Sequence, residues 1–155
     1  MIKTNAMRIL ETANIPFEVL LYEAKTALDG VTVAGKIGEN PENVYKTLVA
    51  QGGPRDFYVF IIPVAEELDM KKAARAAGTK EITMLPLAKL TPVTGYVRGG
   101  CTAIGMKKDF PAFIDESAIL LDHMVVSAGK IGMQLKLLPD DLLKAANAQY
   151  ADLIK

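Results

Sequence analysis

Tryptophan is absent from this 155-residue chain, and cysteine and histidine occur once each. A lone Cys101 cannot close an internal disulfide, and Cys101 with His123 is too small a donor set for a Cys/His zinc site. No metal and no cofactor are expected, and a reducing, cytoplasmic setting is. Long apolar runs are also scarce. The most apolar stretch, Phe57 to Ala65, is interrupted by Pro63 and is far shorter than the roughly 20 residues that cross a bilayer, so no membrane association is expected. Nor do Met1 to Leu10, which carry Lys3 and Arg8, lead into the apolar segment of a signal peptide.

An excess of one charge is missing as well, since 18 Lys and Arg face 18 Asp and Glu. That balance excludes a protein that holds nucleic acid through bulk charge. Any RNA contact would rest on local groups such as Lys71, Lys72 and Arg75, or Lys107 and Lys108, and short clusters of this kind more commonly form a solvated surface. Apolar residues are plentiful, at 50% of the chain. They suffice for one core, in a single domain spanning residues 1–155.

The elements follow from periodicity and punctuation. Ala6, Met7, Leu10 and Ala13 share one face of a predicted helix over Thr4 to Ala13, with Thr4 as N-cap and Asn14-Ile15-Pro16 ending it. Phe17 to Tyr22 reads as a strand, and Thr32 to Ile37, followed by Gly38, as a second helix. Asn40-Pro41 marks a turn. Val44 to Gln51 and Phe57 to Pro63 are β-rich and flank Gly52-Gly53-Pro54-Arg55-Asp56, an antiparallel hairpin with a longer loop. Asp69 caps a helix through Ala77 that Gly78 stops. Beyond it, β-like pieces at Glu81 to Met84, Tyr96 to Arg98, Phe113 to Asp115, Met124 to Ser127 and Met133 to Leu138 alternate with glycine and proline turns, including ones at Pro86 and Pro92. Pro139, with Asp140 and Asp141 at the positive end of the dipole, opens a last helix through Ala146. Strands and helices without a regular βαβ repeat predict an α+β fold, with a curved, mixed, mostly antiparallel sheet and flanking helices.

Candidate chemistry centres on Lys46. Period-two alternation puts Val44, Lys46, Leu48 and Ala50 on one face, so a cation shares the aliphatic side of a strand. Such a lysine either escapes to solvent at the strand end or faces a polar cavity. The loop Gly99-Gly100-Cys101-Thr102-Ala103-Ile104-Gly105 could bring backbone close to a ligand, although it lacks phosphate-loop spacing and a tight turn is the commoner use. The same holds for Ser127-Ala128-Gly129. With one histidine there is no Ser/His/Asp or Cys/His system to build, so His123 is expected to be structural or exposed and Cys101 to be a small apolar filler.

Several motifs taken together resemble the YbaK family, free-standing relatives of the editing domain inserted in bacterial prolyl-tRNA synthetases. They are Ile15-Pro16-Phe17 before Tyr22, Asn40-Pro41 before Tyr45-Lys46-Thr47-Leu48-Val49, Leu68-Asp69-Met70-Lys71-Lys72-Ala73-Ala74, Thr94-Gly95-Tyr96-Val97-Arg98-Gly99-Gly100, Ile104-Gly105 before Lys107-Lys108, and Val126-Ser127-Ala128-Gly129-Lys130. The resemblance implies an aminoacyl-tRNA deacylase that clears cysteine from proline tRNA, with cysteine tRNA as a further candidate, in which the substrate's own thiol closes on its carbonyl and Lys46 is the essential residue. It also implies a substrate pocket lined by Tyr22, Thr47, Gly99, Gly100, Ser127 and Gly129. The 3′ aminoacyl end of a mischarged tRNA would be the substrate and prolyl-tRNA synthetase a candidate partner. Alternation points Thr47 away from Lys46, so either a bulge re-aims it or it acts indirectly. The chain departs from the usual family pattern at Cys101-Thr102-Ala103, Ile131 and Gln134, and lacks an aromatic residue near Asp29-Gly30. A different editing specificity in the same superfamily, such as alanyl-tRNA hydrolysis by water, and a non-catalytic tRNA- or synthetase-binding module remain the alternative readings.

Overall fold

The computed structural model describes residues 2–155. Helix α1 (Asn5–Thr12) starts where Thr4 Oγ1 accepts the Met7 amide, and it buries Ala6, Met7 and Leu10, the predicted face. Strand β1 (Glu18–Leu21) leads to α2 (Gly30–Ile37), which begins two residues earlier than expected because Asp29 caps it through the Thr32 amide. Gly38 ends α2 in the left-handed region, as Gly78 ends α3 (Met70–Ala77). The Asn40-Pro41 turn is one 3-10 turn over Pro41–Asn43, capped by Asn40.

Strands β2 (Tyr45–Gly53) and β3 (Asp56–Pro63) pair antiparallel as expected. The hairpin is tighter than the sequence suggested. Pairing continues to Gly53 and Asp56 after a register irregularity at Gln51/Gly53. Then come β4 (Thr83–Met84), α4 (Leu87–Thr94), β5 (Ala112–Asp115), a 3-10 segment over Glu116–Leu120, β6 (Met124–Lys130), β7 (Met133–Leu137), α5 (Pro139–Ala145) and β8 (Ala148–Ala151).

Two expectations fail here. Pro86 and Pro92 are not turns but the N-cap and an interior position of α4. A short helix tolerates Pro92 because few of its amides have an intrahelical acceptor to lose. Tyr96 to Arg98 is not a strand. It follows the left-handed Gly95 that closes α4, and Tyr96 is held instead by its own contacts, its amide on Thr94 Oγ1 and its hydroxyl on the Ile104 carbonyl.

The α+β class and mixed pairing stand, but the sheet is divided in two. One sheet is antiparallel in the order β1-β7-β6, and the other runs β4-β2-β3-β5-β8 with β5 parallel to both its neighbours. Side-chain alternation along β3 accounts for the layering. Val59 and Ile61 pack toward the three-stranded sheet with Met7, Leu10, Val126 and Leu135, whereas Phe60 and Ile62 pack on the other face with Ala73, Phe113 and Leu153. A strand covered on both faces must be apolar throughout, which is why Phe57 to Pro63 shows no polar alternation. A third, smaller cluster of Ala34, Val44, Val64 and Val125 seats α2 where the two sheets meet. Gly30 has to be a glycine for that seating, because a Cβ there would collide with the Val64 side chain.

Candidate active site

The meeting of the sheets leaves an opening. Strand β2 is paired with β3 along its length but with β4 only at Ala50 and Gln51, and a single parallel bridge, Val44 to Val125, links the residue before it to β6. Its first half therefore has a free edge. A cavity of about 380 Å³ runs along that edge, a size typical of small-molecule sites. It is lined by Val44, by Tyr45 to Leu48 of β2, Val64, the start of α2, Tyr22, Ser127, Gln134 and the loop residues Arg98, Gly99 and Cys101.

This geometry resolves the position of Thr47 without a bulge, since register is unbroken from Tyr45 to Gln51. The Val64 amide bonds the Val44 carbonyl, and on the opposite edge the Leu85 amide bonds the Val49 carbonyl. Odd-numbered residues of this stretch thus turn their backbone groups outward from β3. Thr47 presents its amide and carbonyl along the free edge, and Lys46 borders the same cavity. Lys46 Nζ donates to the Val64 carbonyl at 3.3 Å and has no ion pair among the described residues.

Of the residues expected at the site, Tyr22, Lys46, Thr47, Gly99 and Ser127 line this cavity together. Gly100 and Gly129 do not. Gly100 lies against the backbone of Lys130 and Ile131, where a Cβ would sit 3.1 Å from the Lys130 Cα, and Gly129 lies against the Tyr96 ring. Both shape the wall from behind. Gly99 borders the cavity at φ +85°, a conformation that other residues rarely adopt, and a Cβ there would press on Ala27. Tyr22 is fixed to the β6-β7 turn by its amide on the Gly132 carbonyl. Ser127 Oγ accepts the Gly129 amide at 3.2 Å, and its register partner Gln134, 6% exposed, completes that wall.

Charge and titration narrow the chemistry. Burial pushes the Cys101 thiol up to about 12, so it stays protonated near neutrality and is a poor nucleophile. Cys101 is thus only half as the sequence suggested, partly buried but bordering the cavity. His123 is structural, with Nε2 2.8 Å from Glu39 Oε1. The carboxylate that lines the cavity, Asp29, is held below its ordinary pKa by the Thr32 hydroxyl and amide that it caps. Lys46 and Arg98 supply two positive charges around it. Arg98 and Gln134 were not among the expected site residues, although both lie in or beside the motifs and Arg98 precedes Gly99 directly. The basic clusters are partly committed elsewhere. Lys72 binds Asp152 and the Ile154 carbonyl, and Lys107 binds the Pro92 carbonyl.

Among the described residues the class of protein is that of a two-sheet α+β fold around a polar, cation-bearing cavity in which no catalytic triad is assembled. The family model described as aminoacyl-tRNA editing domain matches residues 24–145, and the chain belongs to that family, as its motifs led us to expect. Over 152 residues it is 41% identical to a protein of Enterococcus faecalis that carries the name Cys-tRNA(Pro)/Cys-tRNA(Cys) deacylase EbsC, covering 97% of this chain and 93% of that one. A solved structure described as a trans-editing enzyme for prolyl tRNA synthetase superposes with TM-score 0.85 at 25% identity over 98% of both chains. A hypothetical protein at 18% identity, also with TM-score 0.85, shares the fold. Among the described residues no helix is long and apolar enough to cross a membrane.

Proposed function

We propose that this chain is an aminoacyl-tRNA deacylase that removes cysteine from mischarged proline tRNA and from cysteine tRNA, acting in the cytoplasm as an editing domain that occupies residues 1–155. The observation that carries this reading is the unpaired Lys46 on the cavity of an editing-family domain whose one cysteine is held protonated. An aminoacyl ester is already activated, so orientation and charge stabilisation suffice to speed its cleavage without a protein nucleophile. Lys46 is assigned to the terminal nucleotide or to the developing oxyanion. Tyr22, the Thr47 backbone, Gly99 and Ser127 hold the aminoacyl group, with Gly100 and Gly129 keeping the wall in place.

The substrate thiol is then the nucleophile. Its sulfur bonds to its own carbonyl carbon, the bond from that carbon to the ribose oxygen breaks, and the thiol proton passes to that oxygen, leaving a cyclic thioester and free tRNA. The kinship with a protein described as a trans-editing enzyme for prolyl tRNA synthetase supports that synthetase as a partner. Turnover of a panel of cysteinyl-, S-methylcysteinyl-, seryl- and alanyl-tRNAs tests the reading. Cysteinyl-tRNA is expected to be cleaved far faster than seryl-tRNA of nearly equal shape, since a hydroxyl is much less ionised than a thiol. Equal rates for free and S-methylated cysteinyl-tRNA would exclude thiol attack. Binding without turnover of any member would exclude the deacylase.

A further inference from the structure

The rim of the cavity holds a cation that the proposed chemistry does not use. Arg98 borders the cavity, is exposed, and forms no ion pair among the described residues. Arg8, Arg55 and Arg75 are also outside the ion pairs, but none of them lines the cavity. The backbone that carries Arg98 is braced on both sides. Gly95 and Gly99 take left-handed conformations at φ +87° and +85°, the Gly100 amide bonds the Val97 carbonyl at 3.0 Å, and Thr91 Oγ1 donates to the Tyr96 carbonyl at 2.9 Å. The loop is thus a fixed mount for one long, solvated side chain.

The charge balance at the cavity indicates what that side chain meets. Asp29, the carboxylate in the lining, accepts from both the hydroxyl and the amide of Thr32 at 2.7 and 2.9 Å and is occupied as a helix cap. Lys46 and Arg98 are therefore left in local excess in a chain of zero net charge. They differ in place and in kind. Lys46 is half-buried on β2 with a carbonyl partner, whereas Arg98 stands on the exposed rim. A guanidinium presents a planar fork that matches two phosphate oxygens, while an ammonium acts as a point charge. In an aminoacyl-tRNA the ester and the nearest phosphate lie on opposite sides of one ribose.

Resting on the deacylase reading above, we propose that Arg98 is a substrate-positioning residue that grips the phosphate preceding the terminal adenosine, so that the ester is presented to Lys46 and the β2 edge. The test compares wild type, Arg98→Ala and Arg98→Lys on two small substrates, the cysteinyl ester of adenosine and that of adenosine 5′-phosphate. The preference for the phosphorylated ester in kcat/KM should fall about tenfold or more in Arg98→Ala, as loss of a charge-assisted hydrogen bond implies, and chiefly through KM. Arg98→Lys should recover part of it. For an acceptor minihelix, the dependence of log(kcat/KM) on log salt should lose about one unit of slope in Arg98→Ala. Calorimetric binding of the unacylated trinucleotide CCA reads the same contact without turnover, and there Arg98→Ala should weaken affinity to a similar degree. A retained phosphate preference, or unaltered CCA binding, would overturn the assignment. Wild type that binds CCA through Arg98 yet cleaves neither ester would count against the deacylase and leave the phosphate grip in place.

Discussion

Lys72 and Lys46 are both partly shielded lysines, and the fold uses them in opposite ways. On the face covered by α3, Lys72 donates to Asp152 at 3.1 Å and to the Ile154 carbonyl at 2.8 Å, tying the C-terminal segment to the helix. Nearby, the buried Asp115 accepts the amides of Ser117 and Leu153. Polar groups in that region are consumed by structure. Around the cavity, Lys46 has one long contact to a carbonyl, Arg98 has no ion pair among the described residues, and the Thr47 backbone turns outward. A side chain whose partners are already in the protein stabilises the fold, whereas one lacking them has its interaction energy available for a ligand.

Removing the cation from the second region gives the largest expected effect. Lys46→Ala should reduce single-turnover deacylation by more than about a hundredfold, equivalent to about 2.7 kcal/mol of transition-state stabilisation, while the thermal midpoint stays near that of wild type. Near-normal turnover in the folded variant would erase the distinction between the two lysines. Asp115→Ala is the converse. It leaves the buried Leu153 amide and the half-buried Ser117 amide without their acceptor, at about 1 to 3 kcal/mol for the buried one, so urea unfolding should shift by about 2 kcal/mol or more while the remaining folded protein keeps its turnover.

Acid provides a gentler probe. Burial of Glu39 opposes its ionisation, but the hydrogen bond and charge of His123, with Asn43 and Lys136 behind them, outweigh it and hold the carboxyl below its ordinary value. A carboxyl whose folded pKa is depressed stabilises the protein above its unfolded pKa, and that contribution is lost as pH falls through the folded value. The difference in thermal midpoint between wild type and Glu39→Gln should therefore be present near neutrality and shrink below the ordinary glutamate range. A pH-independent difference would place the contact of His123 with Glu39 outside the titration. The smallest effect is expected at Cys101. With its thiol pushed up to about 12 by burial, Cys101→Ser should slow deacylation less than about tenfold, whereas loss of a protein nucleophile costs several orders of magnitude.

Local chemistry was enough to read most elements from the chain itself. Thr4, Asp69 and Pro139 open helices, Gly38 and Gly78 close them, and the β2-β3 hairpin follows from two β-rich runs flanking a glycine- and proline-bearing loop, because caps and tight turns are decided by residues a few positions apart. The motifs around Tyr22, Lys46, Gly99 and Ser127 likewise carried the family and five of the residues that line the cavity. Helix α4 was obscured by Pro92, and β8 and the parallel pairs had no local signature. Alternation tells a strand which face to bury but not which strand to pair with. Tertiary structure alone set β5 between β3 and β8, brought Glu18 of β1 beside Lys136 of β7, and split the sheet so that one edge of β2 stayed open. That open edge lets consecutive residues of opposite orientation border one cavity and gathers Tyr22, Lys46, Arg98 and Ser127 around it, a proximity created by packing between elements distant in sequence.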